Sequence, residues 1–110
     1  MIKAIFLDVD GTLISFKTHK VPVSALEALR RAHARGVRLF IATGRAAADL
    51  GLLGEIPYDG VVALDGAACP MRDGTLGARP PIPRADFEKS LALSAEPGFS
   101  VGLELNGGGF

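Results

Sequence analysis

The sequence has no tryptophan, a single cysteine and only two histidines. A lone thiol, Cys69, closes no internal disulfide and makes no metal cluster, so a reducing compartment is the expected setting, and the cytoplasm the expected location. Net charge is absent too. Twelve Lys+Arg offset twelve Asp+Glu at a pI near 6.7, so no long-range field recruits a polyanion, and nucleic acid is not an expected partner. Long apolar runs are missing as well. Ala4-Ile5-Phe6-Leu7 is cut by Asp8, far short of a signal segment or of the roughly 20 residues that cross a bilayer. A soluble protein with no membrane partner is expected.

What is present suits an ordinary globular chain: 110 residues, 48% hydrophobic and 22% charged, enough for one domain with a packed core. Gly and Pro are unevenly spread. Of 14 Gly and 7 Pro, 17 fall after Leu50, so the first half reads as periodic structure and the second as short elements broken by turns.

Lys3 to Leu7 reads as a strand covered on both faces, as in parallel sheets. Pro22 and the Ser24-x-x-Glu27 capping box are alternative helix starts. Ala25, Leu26, Ala28, Leu29 and Ala32 give that helix an apolar stripe, Glu27 and Arg31 are spaced as an i,i+4 pair, and Gly36 stands where a left-handed residue ends a helix. Val37 to Ala42 is a second strand, Thr43-Gly44-Arg45 opens a helix through about Leu53, and Val61 to Leu64 is a third strand after Tyr58-Asp59-Gly60. The expectation is β-α-β-α-β with a parallel sheet and helices on both faces, hence an α/β, Rossmann-like fold. Beyond Asp65-Gly66, Ala68–Met71 and Leu76–Arg79 flank Arg72-Asp73-Gly74-Thr75, which predicts a hairpin. Pro80 to Pro83 is a stiff connector, Ala85 to Ala95 a helix, and Ser100 to Leu105 a weak strand.

Chemistry concentrates at two strand ends. Asp8-Val9-Asp10-Gly11-Thr12 follows the first strand, at the carboxyl edge where open α/β sheets bind ligands. Residues i and i+2 project to one side, so Asp8 and Asp10 can converge on one cation or phosphorylated substrate, and paired hard oxygens suit Mg²⁺. Gly11 permits a sharp turn that shows amides to an anion. After the second strand, the Thr43 hydroxyl and the Gly44 amide can face a phosphate, and the Arg45 guanidinium can clamp one. As bare peptides, both segments also read as polar turns. His19, His33 and Cys69 carry no expected role, and Lys17-Thr18-His19-Lys20 reads as a solvated loop.

Asp8-Val9-Asp10-Gly11-Thr12-Leu13 resembles the first signature motif of the haloacid dehalogenase superfamily. Ala42-Thr43-Gly44-Arg45 looks like the second in the wording of Cof-type phosphatases, and Leu64-Asp65-Gly66-Ala67 recurs there with Asp65 where Asn is usual. The resemblance implies a phosphatase in which Asp8 is the nucleophile and forms an aspartyl-phosphate. Asp10 is the acid and base, Thr43 orients the phosphoryl group, and Mg²⁺ sits on the Asp8 carboxylate and the Asp10 carbonyl. The substrate it implies is a small phosphorylated metabolite, such as a sugar phosphate.

The family's later lysine and acidic pair have no counterpart here. Residues 1–68 therefore read as the start of the core and residues 69–110 as the opening of a cap that stops early. A homo-oligomer formed through an exposed sheet edge is a further expectation. Two readings of other classes stand beside this one: a receiver-type signalling domain phosphorylated at Asp65, and a non-catalytic assembly fragment.

Overall fold

A computed structural model describes residues 1–77, 81–105 and 108–109. Strand β1 (Ala4–Leu7) leads through a long loop to helix α1 (Val23–Ala34), which returns the chain to strand β2 (Arg38–Ala42) beside β1. Strand β3 (Gly60–Val62) pairs on the other side of β2, giving a three-stranded parallel sheet in the order β1-β2-β3. A hairpin, helix α2 (Arg84–Ser94) and a two-stranded ribbon of β4 (Glu104–Leu105) and β5 (Gly108–Gly109) follow. The parallel α/β expectation therefore holds.

One face of the sheet carries the core. Leu39, Ile41 and Val61 are buried there with Leu29 of α1, while Val9, Leu13 and Ile14 pin the loop after β1 into the same cluster. The end of α1 follows from Gly36. At φ +86° it lets its N–H reach the His33 carbonyl at 2.9 Å and the Val37 N–H reach that of Ala32 at 3.2 Å, a left-handed closure that satisfies two terminal carbonyls. The helix start corrects the capping-box alternative. Pro22 is the N-cap and no side chain caps the first turn, because with Val23 as the first helical residue Ser24 already lies inside the helix. Glu27 and Arg31 form no ion pair among the described residues.

The other face corrects the expectation that β1 is covered on both sides. Phe6 is 62% exposed and stacks on Phe40 with ring centroids 4.9 Å apart. The β-register continues this row from Phe40 to Gly60. A methyl group on Gly60 would run into the Met71 sulfur and lie 3.2 Å from the Phe40 ring, so the missing side chain is the slot into which the hairpin inserts Met71.

Four further differences concern element ends. The helix expected through Leu53 is a 3₁₀ segment, Ala47–Leu53. Ala46 is extended at ψ 148° and the Arg45 carbonyl accepts the Leu64 N–H at 3.1 Å, so helical geometry is delayed past Arg45, and Gly51 weakens its continuation. The third strand stops at Val62, because Leu64 and Asp65 both take positive φ. The hairpin forms around Gly74, with the Met71 N–H on the Thr75 carbonyl at 2.8 Å, but as isolated bridges rather than strands. Its expected Ala78 and Arg79 lie outside the described residues. The last strand covers Glu104–Leu105 alone, and its partner in the glycine run was not foreseen.

Asp59 is the least expected structural residue. Its backbone N–H reaches the Leu39 carbonyl at 2.7 Å, and its carboxylate accepts the Leu39 N–H at 2.8 Å, so one residue supplies a complete extra rung ahead of β3. That backbone bond, with help from His33 3.5 Å away, holds the Asp59 carboxyl below the usual carboxylate range. A group with a depressed folded-state pKa stabilises fully above its unfolded value and loses the contribution as pH falls through the folded one. We expect Asp59→Ala to cost about 1–3 kcal/mol in urea unfolding, the scale of an orphaned buried N–H. Asp59→Asn keeps the acceptor, so it should retain most of the stability at pH 7 while flattening its decline below the ordinary carboxylate value of 3.8.

Candidate active site

The three parallel strands deliver their carboxyl ends to one edge. After β1, Val9 is completely buried while Asp8 and Asp10 on either side of it are exposed, the alternation of an extended chain. The loop is knit by its own backbone. Gly11 at φ +79° donates to the Ile14 carbonyl at 2.8 Å, and the Ile14 N–H returns to Val9 at 3.0 Å. The Thr12 hydroxyl donates to Asp8 Oδ2 at 3.3 Å, which orients the carboxylate.

After β2, Thr43 is the buried polar residue of the described chain, 7% exposed. Its Oγ1 accepts the Arg45 N–H at 3.1 Å, which leaves the hydroxyl proton available for an incoming anion. The Gly44 amide is not at a helix start as expected, since the 3₁₀ segment begins at Ala47. The Arg45 guanidinium, expected to clamp a phosphate, pairs with a carboxylate in this structure. Its Nε and Nη2 each donate at 2.7 Å to the two oxygens of Asp10, a bidentate pair that ties the first strand end to the second across 35 residues. The hydrogen bond from Arg45 holds the Asp10 carboxyl below its usual value, and Asp10 in turn raises the Arg45 pKa.

After β3, Asp65 arrives beside the second strand end. Its N–H bonds the Thr43 carbonyl at 3.2 Å, and its carboxylate stands close enough to Gly44 that a Cβ there would lie 3.2 Å from Oδ1. The absent side chain of Gly44 is what admits Asp65. This neighbourhood was only half legible: the motif is visible in the sequence, but the approach depends on left-handed backbone at Leu64 and Asp65 that no periodicity signals.

Asp8, Asp10, Gly11, Thr43, Gly44 and Arg45 thus share the edge formed by β1 and β2. The donor chemistry fits a hard cation in part: Asp8 offers carboxylate oxygens, and the Asp10 carbonyl accepts no backbone hydrogen bond among the described residues. Among those residues no group of three acidic, histidine or cysteine side chains is gathered closely enough to hold a metal ion. Of the residues placed here, Asp8, Asp10 and Asp65 are acidic and Arg45 is basic.

A family model for haloacid dehalogenase-like hydrolases matches residues 5–108. The chain belongs to this family. Among solved structures, this hydrolase chain is similar to BT1666 from Bacteroides thetaiotaomicron, a haloalkanoate-superfamily phosphatase, with 53% identity and a TM-score of 0.91 over 99% of its length. It also resembles the subclass IIB sugar phosphatase BT4131, with 41% identity and a TM-score of 0.74 over 83% of its length. A haloacid dehalogenase-like hydrolase from B. subtilis is 28% identical over 84% of the chain, with a TM-score of 0.72. The chain spans 41%, 36% and 33% of those three proteins. A comparison with curated proteins gave no match. Family membership sets aside the receiver-type alternative. No helix among the described residues is long and apolar enough to cross a membrane.

Proposed function

We propose that this segment carries the nucleophile and phosphate-orienting groups of a Mg²⁺-dependent, cytoplasmic phosphatase acting on a small phosphorylated metabolite, a sugar phosphate by similarity to BT4131. The observation that carries the reading is the joining of Asp8, Asp10 and Thr43 at one sheet edge, with Arg45 bonded to both Asp10 and Thr43.

An Asp8 carboxylate oxygen attacks phosphorus, the ester P–O bond breaks, and the departing alcohol oxygen takes a proton from Asp10. Water then gives a proton to Asp10 and attacks phosphorus, the bond to Asp8 breaks, and phosphate leaves with the carboxylate regenerated. Thr43 donates its hydroxyl proton to a phosphoryl oxygen and fixes the direction of attack, which is much of what a protein contributes to phosphoryl transfer. Mg²⁺, held by the Asp8 carboxylate and the Asp10 carbonyl, would offset the repulsion between two anions.

The test is capture by a phosphoryl mimic. Beryllium trifluoride with Mg²⁺ should attach at Asp8, seen by ¹⁹F NMR and lost in Asp8→Asn. Attachment at Asp65 instead would overturn the assignment.

A further inference from the structure

The loop that follows the carboxylates builds a hollow of its own. A cavity of about 310 Å³ is lined by Gly11, Thr12, Leu13, Ser15, Phe16 and Lys17, among others, a volume at the lower end of small-molecule sites. Phe16 is 72% exposed, yet its ring lies against Gly11: a Cβ there would be 2.8 Å from Cε2. Thr12 belongs to both places, since it lines the hollow and its hydroxyl bonds Asp8 Oδ2. Thr12 thus connects the wall of the hollow to the nucleophile.

Its walls are of two kinds. Leu13 and the Phe16 ring are apolar. Ser15 Oγ accepts the Lys17 N–H at 3.1 Å and so retains a proton to donate, and the Lys17 ammonium carries further donors. An exposed aromatic face beside fixed polar donors suits a ring that has C–H bonds on one side and hydroxyls around its edge, because the electron-rich face attracts C–H hydrogens while the rim binds oxygen.

We propose that this cavity receives the alcohol side of the phosphate ester as a polyhydroxylated ring, its C–H face on Phe16 and its hydroxyls on Ser15 and Lys17. The inference rests on the phosphatase reading and makes Phe16 a specificity-determining residue for it.

The test titrates the full ¹⁵N-labelled chain with Mg²⁺ and two probes, inorganic phosphate and the non-hydrolysable phosphonate analogue of glucose 6-phosphate. Both should move the amides of residues 8–12 and 43–45, and the phosphonate alone should also move those of residues 15–17. Phe16→Ala should weaken the phosphonate about fivefold, within the range of aromatic face contacts, and leave inorganic phosphate unchanged. Phe16→Leu, which keeps apolar bulk beside Gly11 but loses the aromatic face, should give the same selective loss. Unchanged phosphonate affinity in both variants, an equal loss for both probes, or phosphonate shifts confined to residues 8–12 and 43–45 would overturn the inference while sparing the phosphatase reading. No response of residues 8–12 to either probe would overturn both.

Discussion

On the proposed mechanism, Asp8→Asn should abolish Mg²⁺-dependent phosphate release in a version extended to the length of the relatives, with a loss on the order of 10⁴- to 10⁶-fold, the scale of deleting a catalytic nucleophile. The amide has the carboxylate's shape but neither its charge nor its nucleophilic oxygen pair. Asp8 is exposed, and among the described residues its side chain bonds only Thr12, at 3.3 Å, so the substitution leaves the core untouched. Circular dichroism and urea midpoints should match the parent. Retained turnover in a well-folded variant would remove Asp8 from the reaction.

The second large effect concerns Asp10 and the arginine that grips it. Asp10→Asn removes the proton carrier and should lower kcat by about 10²- to 10⁴-fold, the usual contribution of a positioned acid or base. Arg45→Met leaves the carrier in place but frees it. Because Arg45 holds the Asp10 carboxyl low, its removal should return the Asp10 titration, followed through its ¹³C carboxyl resonance, to the ordinary carboxylate range. The sign follows for the rate. Donation to the leaving oxygen needs protonated Asp10, so activity declines as pH rises past its pKa, and raising that pKa moves the alkaline limb to higher pH. Arg45→Lys keeps the charge but cannot make the two-pronged pair, and should fall between the parent and Arg45→Met. An Asp10 titration unchanged by Arg45→Met would show that the pair exerts no control over the proton.

Much of this edge could be read from residue order, because the relevant rules are local. Gly36 ends its helix for a steric reason visible in one residue, and the Asp8/Asp10 alternation follows from strand geometry. Other features depend on partners distant in sequence. Arg45 reads as a solvated or phosphate-binding cation until the fold brings Asp10 within 2.7 Å. Asp59 reads as a turn residue until β2 presents an N–H for its carboxylate. The helix expected after Arg45 yields to a backbone bond from Leu64. Open exposure of Phe6 was hidden for a different reason: an apolar run identifies a sheet strand but not what lies against either side of it.

The row running from Phe6 through Phe40 to Gly60 ends on a thioether, and that ending has a redox consequence. Conversion of Met71 to its sulfoxide places a polar oxygen on the sulfur that fills the Gly60 slot beside the Phe40 ring. The Met71 side chain is partly open to solvent, 38% exposed as a residue, and so open to peroxide. Oxidative damage would therefore prise the hairpin from the third strand while the carboxylates at the opposite end of the chemistry stayed intact, and a methionine sulfoxide reductase would restore the seat.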